Sequence, residues 1–147
     1  IEIVRYLAAH GADVTRVAIS HIDRTVFQHD MRVELAKTGC YLEYDMFSFE
    51  GWHQTRHVLS EQNPVHVEVP NDAGRVAEIV QLVDAGFINQ LLISHDHCSK
   101  HRLFSWGGPG YAHIVENIVP LLLDRGLSRE QVETITVANP RRFLQFV

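Results

Sequence analysis

A chain of 147 residues is long enough for one domain with a sizeable core. Its 46% hydrophobic and 21% charged residues are a globular composition, and a net charge of −5 with no basic stripe argues against a nucleic-acid partner. The longest apolar runs fall far short of a membrane span. Cys40 and Cys98 read as reduced thiols, the pattern of a cytoplasmic protein. Residues 1–10 have helical spacing, with Ile1, Val4, Leu7 and Ala8 on one face and Gly11 as a left-handed stop. A chain that opens inside a helix, on Ile rather than Met, is expected to be the later part of a longer one. Residues 14–20 then predict an apolar strand that ends on His21-Ile22-Asp23-Arg24-Thr25. A helix over 28–38 follows, closed by Gly39, and a short strand over 40–44 ends at Asp45.

Residues 46–71 have poor periodicity but carry Phe47, Phe49, Trp52, Pro64 and Pro70, with Val65, Val67 and Val69 alternating. A long aromatic segment between regular elements is expected to be a packed lid or substrate loop, against the alternative of an inserted hairpin without a role. Asn71 or Asp72 can cap the next helix, which runs to Ala85 with Val76, Ile79, Val80 and Val83 inward and Gly86 as its stop. Leu91, Leu92 and Ile93 are apolar on both faces, as a buried parallel strand requires, and the run stops at Ser94-His95-Asp96-His97. Residues 98–110 form a second long loop with Gly107-Gly108-Pro109-Gly110, but without the spacing of a phosphate loop. Residues 111–125 are helical, with Ile114, Val115, Ile118, Val119 and Leu122 apolar and Pro120 as a kink or a boundary. Ser128 and Gln131 make a capping box. Asn139-Pro140 reads as N-cap and first turn of a last helix that packs Phe143, Leu144 and Phe146.

Strands alternating with helices imply βαβ units and a parallel sheet. Three strands fit half of a doubly wound fold or the last third of a (β/α)8 barrel. No Gly-rich turn follows the first strand, which counts against a dinucleotide site. His21, Asp45 and Asp96 each sit just past a strand's C-terminal end, and in a parallel sheet those ends share one edge. Imidazole and carboxylate suit zinc or a similar divalent ion, and a carboxylate there can take a proton from metal-activated water. A catalytic zinc takes three protein ligands, so this set is incomplete. Asp45 has alternative uses as a loop cap or as a hydrogen-bond partner of a ligand, and His95 and His97 as groups behind the ligands or facing substrate. The isolated His10, His53, His57, His66 and His113 read as solvated or hydrogen-bonded residues.

Ile19-Ser20-His21-Ile22-Asp23-Arg24-Thr25 resembles the sixth-strand motif of the phosphotriesterase family in the amidohydrolase superfamily, and Ile93-Ser94-His95-Asp96 resembles its eighth-strand motif. Gly107-Gly108-Pro109-Gly110-Tyr111, Ile118-Val119-Pro120 and Asn139-Pro140-Arg141-Arg142-Phe143-Leu144 resemble the family's later segments in the same order, nearest to its phosphotriesterase-related branch. The resemblance implies an α/β fold, with residues 1–147 as strands 6 to 8 and flanking helices of a (β/α)8 TIM barrel whose earlier strands lie upstream. It implies two divalent metals, usually zinc, with His21 on the more exposed ion. Asp96 would ligate the buried ion and act as base for a bridging hydroxide. Asp23, Arg24, Asp45, His95 and His97 would line the substrate pocket or support the ligands. The family's remaining ligands, a His-x-His pair, a carboxylated Lys or Glu and another His, are expected before Ile1.

Organophosphate hydrolases carry an acidic pattern where this chain has Asp23-Arg24, and a basic residue where Met46 follows Asp45. Lactones and N-acyl amino acids therefore fit at least as well as phosphotriesters. The implied function is metal-dependent hydrolysis of an ester, lactone or amide, with a small-molecule substrate as partner, no membrane or nucleic acid, and a homodimer left open. The alternative is an inactive fragment or a degenerate homologue with the same fold. A complete flavodoxin-like binding module is disfavoured by the strand count and the absent phosphate loop.

Overall fold

The apolar runs extend side by side as a three-stranded parallel sheet in chain order: β1 (Ala18–Ile19), β2 (Tyr41–Tyr44) and β3 (Leu91–Ile93). The computed structural model describes residues 1–49 and 70–146. Most of the expected lid segment, including Trp52, His53, His57, Pro64, Val65, His66, Val67 and Val69, lies outside the described residues. Ile19 pairs with Leu42 and Leu42 with Leu91, so the strands run level and end at one edge. Leu42 and Tyr44 of the middle strand are fully buried, as a strand covered on both faces must be.

β1 is shorter than its apolar run predicts. The Asp13 carboxylate accepts hydrogen bonds from the Thr15 amide at 3.0 Å and the Thr15 hydroxyl at 2.6 Å. This cap winds Val14–Arg16 into a 3-10 turn, and the backbone becomes extended only at Val17. A local side-chain bond here outcompetes strand propensity.

Helices α1 (Glu2–Ala9), α2 (Ile22–Thr25), α3 (His29–Ala36) and α4 (Asp72–Asp84) pack around the sheet. In α1 Val4 is buried, whereas Ile1, expected on the inner face, is exposed. The Asn71 side chain caps α4 by accepting from the Gly74 amide at 2.8 Å. Val76, Ile79 and Leu82 of α4 join Ile22, Leu35, Leu42, Phe47 and Leu91 in one contiguous core. Each such side chain contributes about 1.5–3 kcal/mol by leaving water. Of the cysteines, Cys40 is buried and Cys98 exposed, and neither forms a disulfide.

The two later prolines share a device. Ile114–Ile118 forms a wide π-helical turn before α5 (Val119–Asp124), and Thr134–Ala138 forms another between α6 (Arg129–Glu133) and α7 (Asn139–Leu144). Pro120 and Pro140 follow these turns, where a missing N–H is accommodated by irregular helical bonding. The capping box forms in both directions between Ser128 and Gln131. The extra residue per π-turn re-phases the helix, so Ile114, Ile118 and Leu122 face the core while Val115, expected inward, is 70% exposed.

Asn139 is likewise not the N-cap its sequence suggests. It continues a helix with φ −65° and ψ −51°, and its amide donates to the carbonyls of Ile88 and Leu91, both at 2.8 Å. Arg142 donates to the Tyr41 hydroxyl at 2.8 Å and to the Asn89 carbonyl at 2.6 Å, and Arg16 donates to the Gln145 carbonyl at 2.6 Å. Phe143 packs edge-on against Tyr41. Leu144 and Phe146, expected in the core, are exposed. The last helix is held mainly by hydrogen bonds to the N-terminal edge of the sheet.

Candidate active site

The opposite, C-terminal edge carries the ionisable groups. β1 ends in a sharp turn at His21, whose left-handed backbone (φ 56°, ψ 34°) opens α2. Asp45, just past β2, is buried, and its Oδ1 accepts the His21 amide at 3.1 Å and faces His21 Nδ1 at 2.8 Å. A carboxylate acceptor places the proton on Nδ1 and leaves the Nε2 lone pair available. That is the tautomer a metal-binding imidazole needs. Burial pushes the Asp45 carboxyl above its usual range, while the bond to His21 and its charge pull it back.

Asp23 turns away from this role. It is fully buried, and its Oδ2 accepts Arg75 Nε at 2.6 Å. Arg75 also donates from Nη1 to Asp72 at 2.8 Å and from Nη2 to the Phe49 carbonyl at 3.0 Å. Asp72 in turn accepts the Ser48 amide at 2.8 Å and faces His113 Nε2 at 2.7 Å. Desolvation raises the Asp23 pKa and the Arg75 contact opposes it. Asp23 thus anchors the His21 turn to α4, 52 residues away. Arg24 beside it is half-buried, with its Nε lacking a partner among the described residues.

Past β3, Asp96 also has a left-handed backbone (φ 46°) and is half-buried. Its carboxylate takes no hydrogen bond from the described residues. The His95 and His97 rings lie 4.8 Å apart between centroids, tilted by 46° to each other. His95 Nε2 accepts the Ile114 amide at 3.4 Å, and His97 Nε2 donates to the Gly110 carbonyl at 3.0 Å. Burial, then the charges of His97, His113 and Arg102, push His95 down to about 4, which keeps its ring neutral. Both flanking histidines are engaged with the loop and helix behind them.

His21, Ser48 and Asp96 are the non-glycine residues with positive φ among the described residues. All three lie in the loops leaving the C-terminal ends of the strands. Such backbone costs about 1–3 kcal/mol per residue and persists where the surroundings over-determine it, typically at functional sites. Two of the three are the residues singled out from sequence as ligands. Sequence reasoning missed Arg75 and Arg102, both buried. Arg75 was detectable in principle, because it lies four residues before Ile79 on the apolar stripe of α4. Nothing local marks Arg102.

No group of three or more His, Cys, Asp or Glu converges as a metal cage among the described residues. The donor set still fits a metal in part: an imidazole fixed in the right tautomer and an uncommitted carboxylate, on strand ends at one edge of the sheet.

The chain matches the phosphotriesterase family over residues 1–144. It is 43% identical over 145 residues to a phosphotriesterase-related protein of Nematostella vectensis, covering 99% of this chain and 39% of that protein. It is 40% identical over 146 residues to an N-acetyltaurine hydrolase of Danio rerio, covering 99% of this chain and 40% of the relative. Among solved structures, a resiniferatoxin-binding protein of Rhodobacter sphaeroides superposes with a TM-score of 0.84 at 29% identity, over 97% of this chain and 37% of that one. The chain therefore spans about 40% of the length of the curated relatives it matches. Its three-stranded sheet with flanking helices corresponds to part of the TIM barrel of such enzymes.

Proposed function

The chain belongs to the phosphotriesterase family, and from that membership we propose that it supplies part of the active site of a metal-dependent hydrolase that cleaves the amide bond of an N-acyl amino acid or N-acyl amino sulfonic acid. The observation that carries this reading is the His21–Asp45 pair at 2.8 Å, set level with Asp96 on the edge where barrel enzymes build their sites. The similarity to an N-acetyltaurine hydrolase supports the substrate class. Met46 after Asp45, and an Asp23 engaged with Arg75, give no support for phosphotriester specificity.

Enzymes of this family are metal-dependent. His21 Nε2 would hold one divalent ion and Asp96 a second, with zinc the expected identity. A bound ion supplies Lewis-acid polarisation of the scissile carbonyl and makes water acidic enough to attack near neutral pH. The chain's own residues do the rest. Asp45 holds the His21 ring in one tautomer and orientation, so no reorganisation is needed during turnover. The Asp96 carboxylate takes the proton of the attacking water and returns it to the departing nitrogen as the C–N bond breaks. The products are a carboxylate and a free amine.

The test uses the full-length protein. Purified enzyme is assayed on N-acetyltaurine, N-acyl amino acids, lactones and aryl phosphotriesters, with metal content measured in parallel. Amide turnover that disappears on chelation and returns with added zinc is the expected result. Full activity in metal-free protein, or in an Asp96→Asn variant, overturns the reading.

A further inference from the structure

Three arginines are buried among the described residues: Arg32, Arg75 and Arg102. Two have anionic partners. Arg32 pairs with Glu78 at 3.0 Å, and Arg75 pairs with Asp23 and Asp72. Arg102 has no carboxylate within ion-pair distance among the described residues. Its Nη2 donates to the Ser48 hydroxyl at 2.6 Å and to the Phe47 carbonyl at 3.4 Å, both neutral. Its guanidinium lies 3.4 Å over the Phe49 ring. Nε is buried with no hydrogen-bond partner among the described residues, and the guanidinium's hydrogen bonds to described residues are all made by Nη2. A cation withdrawn from water is costly unless an anion meets it.

Arg102 is also held in place. The Gly110 amide donates to its carbonyl at 2.9 Å. Gly108 packs so closely that a Cβ there would stand 2.3 Å from the Arg102 carbonyl carbon. The side chain bridges the loop after β2 to the loop after β3, on the same edge as Asp45 and Asp96. The carboxylates that influence it most, Asp96 and Asp72, stay beyond contact. Asp72 already holds Arg75 and His113. A rigid, desolvated guanidinium with unused N–H groups beside a reactive carboxylate is the arrangement that recognises an oxyanion.

Resting on the hydrolase reading above, we propose that Arg102 receives the anionic end of the substrate, a sulfonate or carboxylate carried on the amine half, and so sets its specificity. Ser48 and Phe47 hold the guanidinium by Nη2, and Nη1 meets the anion.

The experiment uses full-length wild type, Arg102→Met and Arg102→Lys. Substrates are N-acetyltaurine, N-acetylalanine and an uncharged aryl acetate. Arg102→Met is expected to raise KM for both anionic amides by roughly 100-fold, while kcat/KM on the aryl acetate stays within about threefold. Arg102→Lys should recover part of the loss as a point charge. Calorimetry with N-acetyltaurine on Asp96→Asn protein gives a readout without turnover, and Arg102→Met added to it should abolish binding. Equal losses on charged and uncharged substrates, or unchanged binding, overturn the inference. Binding through Arg102 without any amide turnover would sink the hydrolase reading and leave this one standing. Turnover indifferent to Arg102 does the reverse, and no binding and no turnover removes both.

Discussion

The loops after β1 and β3 leave the sheet in similar ways and are fastened differently. Both turn through a left-handed residue, His21 in one and Asp96 in the other. The first is tied into the interior: Asp45 grips His21 by backbone and ring, and Asp23 is locked to Arg75 at 2.6 Å. The second is braced around Asp96. His97 bonds Gly110, His95 bonds Ile114 and Arg102 bonds Ser48, yet none of these touches the Asp96 carboxylate. A side chain that must present one lone pair gains from being immobilised. A side chain that must gain and lose a proton gains from carrying no fixed partner.

That contrast can be broken at several points in the full-length protein. Asp96→Asn should lower kcat by roughly 10²–10⁴-fold while the thermal midpoint barely moves, since Asn tolerates the left-handed backbone. A large fall in melting temperature would mean that the β3 loop is as structural as the β1 loop. Arg75→Met strands Asp23 without its cation and should cost about 3–5 kcal/mol in urea unfolding. A loss under about 1 kcal/mol would show that the β1 loop does not depend on this pair. Asp45→Asn removes the charged acceptor behind the His21 ring and should weaken zinc about 10–100-fold in chelator competition, with the fold intact. Unaltered affinity would remove Asp45 from its orienting role. The smallest effect belongs to Asn71→Ala, which uncaps the helix carrying both Asp72 and Arg75. It should cost about 1 kcal/mol by denaturant unfolding, and no change would locate α4's stability wholly in its packing.

Much of this edge is legible in the sequence because the relevant signals are local. Leu91, Leu92 and Ile93 read as a buried strand and form one, and Ser128 with Gln131 reads as a capping box and forms one. His21, Asp45 and Asp96 follow from apolar runs that stop on ionisable groups. The illegible parts depend on contacts distant in sequence. Arg75 and Asp23 are 52 residues apart, and Arg102 and Ser48 are 54 apart. Nothing near Arg102 says that it will be enclosed, and Arg75 is marked only by its place on the apolar stripe of α4. Asn139 fails as a cap for a related reason, since the carbonyls it satisfies lie 48 and 51 residues away. Val115 is misplaced because a π-turn breaks the 3.6-residue period on which face assignment rests.

The bonds that α7 makes to the far edge of the sheet have a consequence for how such a protein can change over generations. Asn139 and Arg142 stitch the beginnings of β2 and β3, and Arg16, just ahead of β1, joins the same seam. A substitution there loosens three strands together, and selection meets it as lost folding. The loops at the other hem are tied in pairs, His21 to Asp45 and Arg102 to Ser48. A substitution in one pair reaches only the neighbouring loop while the seam holds.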